Sequence, residues 1–547
     1  MAVIRRNRDS QSQSNSLVFC IITSFGCVIT ALLITLVYAV STANTINPAG
    51  NDAVHNVAAS LQKDILAVEE AAKPLALRGA EKAEHFLESM NVGGHAMTTE
   101  QQEEKPTLNT EPMTMDEVLS FLNHFLIQLH QNFVGNKKTE FDGVWKIFHD
   151  FALEVLYPWD REYLQRMPKR RKDGSVFVSL ASYRDENCIN TLTWAYEKSK
   201  NPDLLNVGLV QQNCVKDCIG GILDKTGRTE KVPPDDDCYE LFCESDIGRE
   251  HCAAGRVRNL FINEDESLGP YMARYFASKL WNGEEWYMQI DAHMTFLQDW
   301  DAVSIEMLQK APAQKPVMSH YPPFDTVNLE ENAKRHGISR LCGSTFADSD
   351  LENQIIRLGG TAAGSYTDTP RFAPYVAAGY FVAHSSFLSE VPFDPFLPWI
   401  FMGEEIIMSA RLWTSGYDIF SPRTSVVGHI YFRRKKPKFW ESVHRLFHYG
   451  IHNPLQMMVL NRVKTQLNYP ESANDFISPR TLLTHIDEYS MGTERSLEDY
   501  LAMAGLDMGK KRVIGPQINW CYSGGVPPGK EEYAHLYNNV DGDGIPL

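Results

Sequence analysis

The run Gln289-Ile-Asp-Ala-His293 closes an apolar stretch with two groups that can ligate a divalent cation. Asp291 offers a carboxylate oxygen and His293 an imidazole nitrogen. If the chain turns between them, both converge on one ion. Such a mixed donor set suits Mn²⁺ or a similar metal. Asp-x-His alone is a weak signal, because most such triplets are surface or capping residues. A further histidine, His429, follows glycine in Val427-Gly-His-Ile-Tyr431. It is either another ligand or a core histidine with its hydrogen bonds satisfied. Between the two lies Trp399-Ile-Phe-Met-Gly-Glu-Glu405. There Gly403 lets the backbone turn, and Glu404 and Glu405 open a helix whose positive end favours ionised carboxylates. Adjacent helical residues point in different directions, so at most one of these acids faces a site.

These residues need elements to hold them. From Ser175 onward, strands alternate with helices, the signature of an α/β sheet. Ser175–Ala181 reads as a buried strand ending in Ser182-Tyr-Arg-Asp185. A helix follows through Ile189, Leu192 and Tyr196, then a second strand over 204–211. Tyr275, Phe276 and Leu280 share a helix face. Residues 285–290 form a third strand, so Asp291 and His293 fall at a strand end, where α/β sheets place ligands. Further strands are expected near Val317, at 375–382 and at 426–431. A helix is expected over 404–415, with Gly416 just past its end.

The rest of the chain is organised around this region. Leu17–Val40 has 24 positions without a charged residue. As a helix it spans about 36 Å, enough for a hydrocarbon core of about 30 Å. Arg5, Arg6 and Arg8 precede it and no Lys or Arg follows until Lys63, which places the N-terminus in the cytoplasm. The run is therefore expected to be a single-pass signal anchor, with a cleaved signal peptide as the alternative. Residues 1–16 would be a cytoplasmic tail and 17–40 the anchor. Residues 41–112 would be a solvated acidic stem and 113–172 a helical preface ending at basic Lys169–Lys172. A catalytic domain over 173–470 and a C-terminal extension over 471–547 complete the chain.

The net charge of −17 makes a general nucleic-acid binder a poor fit. The stem carries a disproportionate share of this acidity. Five cysteines crowd into one stretch: Cys214, Cys218, Cys238, Cys243 and Cys252. In an oxidising lumen they read as a disulfide-stapled loop. Zinc is the rival, but CxxC pairs are absent. No Asn-x-Ser/Thr sequon occurs.

In this order the motifs resemble the polypeptide α-N-acetylglucosaminyltransferases of glycosyltransferase family 60. The resemblance rests on Ser182-Tyr-Arg-Asp185, Ala273-Arg-Tyr275, Gln289–His293, Ala377-Ala-Gly-Tyr-Phe381, Gly403-Glu-Glu405 and Gly428-His429. It covers roughly residues 174–470, and Arg495–Gly505 is similar too. A more distant likeness to the polypeptide N-acetylgalactosaminyltransferases includes Arg411-Leu-Trp413.

The resemblance implies a GT-A fold, an α/β nucleotide-sugar transferase architecture. It implies UDP-N-acetylglucosamine as donor, a retaining outcome and a protein or peptide hydroxyl as acceptor. Asp291, His293 and His429 would hold the metal, Mn²⁺ or else Mg²⁺. Glu404 or Glu405 would contact the donor sugar or acceptor and, with Asp291, form the catalytic set. Ser182, Tyr183, Arg184, Asp185, Arg274 and Gly379 would bind the donor. Asp185 either pairs with ribose or caps a helix. The basic run beginning Arg433-Arg434 is either solvated surface or a contact to the diphosphate. The anchor and stem favour a Golgi member with a lumenal catalytic domain. Two other classes compete: a tethered carbohydrate-binding protein without turnover, and a metal-dependent hydrolase.

Overall fold

The apolar segment VFVSLASY forms strand β1 (Val176–Tyr183), and its first five residues are all buried. Strand β2 (Leu205–Asn213) is buried along its whole length. Parallel strands are ordinarily covered on both faces, and β1 pairs in parallel with β2 and with β4 (Trp286–Asp291). β2 in turn pairs in parallel with β3 (Val257–Asn263).

The chain then adds a short strand, β5 (Met294–Phe296), followed by β6 (Pro316–Ser319), β7 (Arg340–Phe346) and β8 (Ile356–Thr361). The last strands of the sheet region are β9 (Arg371–Phe372), β10 (Tyr380–His384), β11 (Asp418–Ser421) and β12 (Val427–His429). The large sheet has the order β3-β2-β1-β4-β10-β6-β11-β9. Within it β10 runs antiparallel to both β4 and β6. The protein is thus a mixed α/β structure built on a large, mostly parallel sheet. β7 and β8 form a separate hairpin, and β5 pairs with β12.

The structure is a computed structural model. It describes residues 110–537 except 137–139, 221–229, 332–337, 349–353, 362–368, 433–435, 443–451 and 473–478. The expected anchor at 17–40 and nearly all of the stem lie outside the described residues. Among the described residues, no helix is long and apolar enough to cross a membrane.

Alternating residues of β1 feed two cores. Phe177 joins Tyr271, Phe276 and Tyr287 on one side of the sheet. Val176, Val178 and Leu180 join Leu192, Met288 and Met318 on the other. Each fully buried side chain of this size contributes about 1.5–3 kcal/mol. The expected helical preface forms three α-helices, Met115–Asn136, Phe141–Phe151 and Tyr157–Gln165, the last two joined by a π-helical turn at Ala152–Leu156. They bury Phe125, Trp145 and Phe148 in the same core as Phe177. Phe148 meets Trp399 edge-on at 5.3 Å.

Most strand expectations hold to within a few residues. The segment 375–382 differs, because only Tyr380–His384 is strand. Ahead of it, the Ala378 N–H donates to Glu405 and its carbonyl accepts from Gln289 Nε2. These backbone groups bond side chains and not a neighbouring strand.

The described cysteines form four disulfides: Cys188–Cys238, Cys214–Cys218, Cys243–Cys252 and Cys342–Cys521. The five crowded cysteines therefore recruit Cys188 from the helix Cys188–Glu197. The last bridge ties the C-terminal region to β7.

Candidate active site

Sheet topology positions the first candidate ligand. The chain runs outward through β1, β2 and β3, then returns to lay β4 on the other side of β1. The C-terminal ends of β1 and β4 therefore flank a topological switch point, where open α/β sheets bind ligands. Asp291 is the last residue of β4, in register with Ala181. Asp185 lies just beyond β1.

Strand register positions the second and third candidate ligands. β5 starts immediately after His293, and β12 pairs with it antiparallel so that His429 faces Met294. The Ile430 N–H donates to the His293 carbonyl at 3.0 Å. Gly428 permits this approach, because a Cβ there would meet Thr295 Oγ1 at 2.6 Å.

The three groups converge. His293 Nε2 and His429 Nε2 are 3.1 Å apart, and His429 Nε2 is 3.3 Å from Asp291 Oδ2. One ligand atom from each residue lies within 4.8 Å of the others. His293 Nδ1 lies 2.6 Å from Asp185 Oδ2. An ionised carboxylate only accepts, so Nδ1 carries the proton and Nε2 keeps its lone pair for the cluster. His429 Nδ1 is buried without a hydrogen-bond partner, which leaves Nε2 as its engaged nitrogen. A single proton satisfies one of these close contacts. A divalent cation satisfies all three donors, and a carboxylate with two imidazoles fits such an ion.

A second layer fixes Asp291. Arg274, from the helix Pro270–Lys279, donates through Nη2 to Asp291 Oδ1 at 2.8 Å and through Nη1 to Glu404. Burial pushes the Asp291 carboxyl up, but the His429 hydrogen bond and the Arg274 charge outweigh it. The group is held well below the usual carboxylate range. Gly379 is needed beside it, because a Cβ there would lie 2.7 Å from Asp291 Oδ2.

The two glutamates divide as helical geometry demands. Gly403, at φ +90°, starts the helix Glu404–Thr414. Glu404 turns inward to Arg274. Glu405 accepts from the Tyr321 hydroxyl at 2.7 Å and the Ala378 N–H at 3.0 Å. Burial pushes the Glu405 carboxyl up to about 7, against the lowering effect of those two bonds.

A cleft of about 530 Å³ opens over these groups. Tyr183, Asp185, Arg274, Asp291, His293, Gly379, Glu405 and His429 all border it.

The sequence profile of the glycosyltransferase (GlcNAc) family matches residues 175–510, which holds every one of these groups. The chain belongs to this glycosyltransferase family. No curated protein matches it. Among solved structures, GalNAc-T7 with UDP, GalNAc and Mn²⁺ is similar at 13% identity and a TM-score of 0.35. That likeness covers 75% of this chain and 69% of that one. S. aureus TarS 1-349 in complex with UDP-GlcNAc is similar at 12% identity and a TM-score of 0.29, over 63% and 82%.

Within this glycosyltransferase, several sequence-predicted residues lie off the cleft. Ser182 and Glu404 are buried and do not line it. Arg184, at φ +48°, turns away. Its Nε donates to Asp235 Oδ2 at 2.7 Å, and its Nη1 pairs with Glu264 at 2.7 Å. Strand alternation explains the split, since Tyr183 and Ser182 face opposite sides. Arg433 and Arg434 lie outside the described residues.

Sequence reasoning missed Tyr321 and Arg357, which both border the cleft. It also missed the aromatic wall of Phe401 and Trp440, whose rings are 4.7 Å apart. No local pattern marks these residues. Asp185 had a signal, as an acid just past a strand end, but its histidine partner is 108 residues away in sequence.

Proposed function

We propose that this glycosyltransferase has a GT-A fold and transfers N-acetylglucosamine from UDP-N-acetylglucosamine to a protein hydroxyl, of Thr, Ser or hydroxyproline. The transfer is retaining and metal-dependent. The observation that carries the proposal is the Asp291–His293–His429 cluster at the switch point of the sheet, in a chain of this family.

A divalent ion held there would neutralise charge on the donor diphosphate as UDP departs. The protein's own groups prepare the site. Asp185 orients His293, and Arg274 keeps Asp291 ionised and fixed. Gly379 leaves room for the Asp291 carboxylate. Tyr183, at the end of β1, borders the space for the nucleoside. Glu405 offers a carboxylate oxygen to a hydroxyl of the donor sugar or the acceptor.

The apolar run 17–40 with arginines before it supports a type II anchor. The four disulfides support a lumenal, oxidising setting. Together with the family resemblance they support the reading of a Golgi enzyme.

The decisive experiment incubates purified protein with a panel of UDP-sugars, Mn²⁺ and acceptor peptides. UDP release that needs metal and is confined to UDP-N-acetylglucosamine supports the proposal, and proton NMR of the glycopeptide should show the α-anomer. Release from UDP-N-acetylgalactosamine alone, or ester cleavage without any nucleotide, would overturn it. Protease protection of sealed microsomes tests the topology.

A further inference from the structure

Away from the cleft, Arg340 at the start of β7 meets Arg371 at the start of β9. They meet at the turn after the helix Gly515–Tyr522. Arg340 is only 6% exposed. Its Nη2 donates to the Tyr522 carbonyl at 3.2 Å, while its Nε and Nη1 are buried without any partner. Arg371 Nη1 donates to the Gly524 carbonyl, and its guanidinium lies over the Tyr537 ring at 5.1 Å from the centroid.

A Cβ built on Gly524 would meet Arg371 Nη1 at 2.5 Å and Arg340 Nη1 at 3.0 Å. Both guanidinium groups therefore pack against the same face of Gly524, where any larger residue would collide with them. Burial and the facing Arg371 charge push Arg340 down to about 10, and burial lowers Arg371 as well. Among the described residues, no carboxylate offsets either charge.

Carbonyl capping accounts for one N–H on each arginine. It leaves buried donors and two like charges uncompensated, a condition that folded proteins rarely tolerate. Guanidinium forks match oxyanions in geometry. Two cations at one point call for a dianion more than for a single carboxylate. Arg371 is partly exposed and the neighbouring Tyr522 and Ser523 are exposed, so the pair lies close to the protein surface. The Cys342–Cys521 bridge holds the turn against β7. Neither arginine borders the Asp291 cleft.

We propose that Arg340 and Arg371 form a phosphate-class anion site, separate from the active site and assembled by the C-terminal region. The ligand is inorganic phosphate or the phosphate of a small monoester.

The test is calorimetric titration of the folded protein with inorganic phosphate and, separately, with N-acetylglucosamine 1-phosphate, saturating UDP and Mn²⁺ being present to fill the cleft. Acetate at matched ionic strength is the control. We expect binding in at least one phosphate arm, and the tighter arm identifies the natural form. Arg340→Gln and Arg371→Gln should each weaken it at least about tenfold. In acetate each variant should melt no lower than the parent, because one uncompensated charge is gone. Phosphate should raise the melting temperature of the parent only. No binding in either phosphate arm, equal binding of acetate, or unchanged phosphate affinity in both variants would overturn the proposal.

Discussion

The Asp185 carboxylate holds His293 from behind, with Oδ2 2.6 Å from Nδ1, while Nε2 of the same ring faces His429 and Asp291. A carboxylate behind a metal-binding imidazole fixes its tautomer and direction, and losing it typically costs about 10–100-fold in metal affinity. Asp185→Asn should therefore raise the Mn²⁺ concentration for half-maximal activity by about that factor, with turnover recovering at high Mn²⁺. A metal titration of initial rates checks this. An unchanged half-saturation point would leave Asp185 only a turn-forming role ahead of the helix Cys188–Glu197, through its bond from the Asn187 N–H at 3.0 Å.

His293→Ala and His429→Ala should each abolish metal-dependent turnover while leaving the far-UV circular dichroism unchanged. Both rings lie at the rim of the sheet, partly exposed, so their loss opens no core cavity. A variant that keeps near-normal rates with Mn²⁺ would remove that residue from the ligand set.

Arg274 is buried between two carboxylates. Replacing it with Met strands Glu404 inside the protein. Breaking a buried pair from one side costs about 3–5 kcal/mol, so Arg274→Met should lower the urea midpoint substantially. Glu404→Gln in the same background should return part of that loss, because the stranded charge is then gone. Additive losses in the double variant would show that the two side chains act separately.

Glu405 gives a pH signature of known sign. Its folded-state value of about 7 exceeds the usual 4.5, so the folded protein binds this proton more tightly than the unfolded chain does. That contribution to stability is fully present below about pH 4.5 and is lost as pH rises through about 7. Denaturant midpoints of Glu405→Gln should lack this decline. The wild-type rate should rise with pH through about 7 if the ionised carboxylate is the active form, and Glu405→Gln should be both slower and flat there. A wild-type profile without a step near 7 would set Glu405 outside the reacting groups.

Much of this site was legible one segment at a time. Asp291 and His293 sit at a strand end because the run before them is apolar and buried, and Gly403 before two acids marks a helix start. The division of the acid pair followed from helical geometry, although which acid turned inward did not. The main losses were strand parity at Ser182 and Tyr183 and the left-handed turn at Arg184. Ser182-Tyr-Arg-Asp185 looked like one block, yet Tyr183 and Asp185 border the cleft while Ser182 and Arg184 turn elsewhere.

The sequence by itself determined the α/β alternation, the candidate metal-ligating residue types and the family, because these depend on neighbours along the chain. Tertiary structure decided which groups meet. His429 reaches His293 across 136 residues only through the register of β12 on β5. Asp185 reaches the same ring only because β1 and β4 lie side by side. The eight cysteines outside the apolar run became four specific bridges only once the backbone brought each pair within reach. Such pairings follow from sheet order and register, which the whole core selects and no local segment encodes.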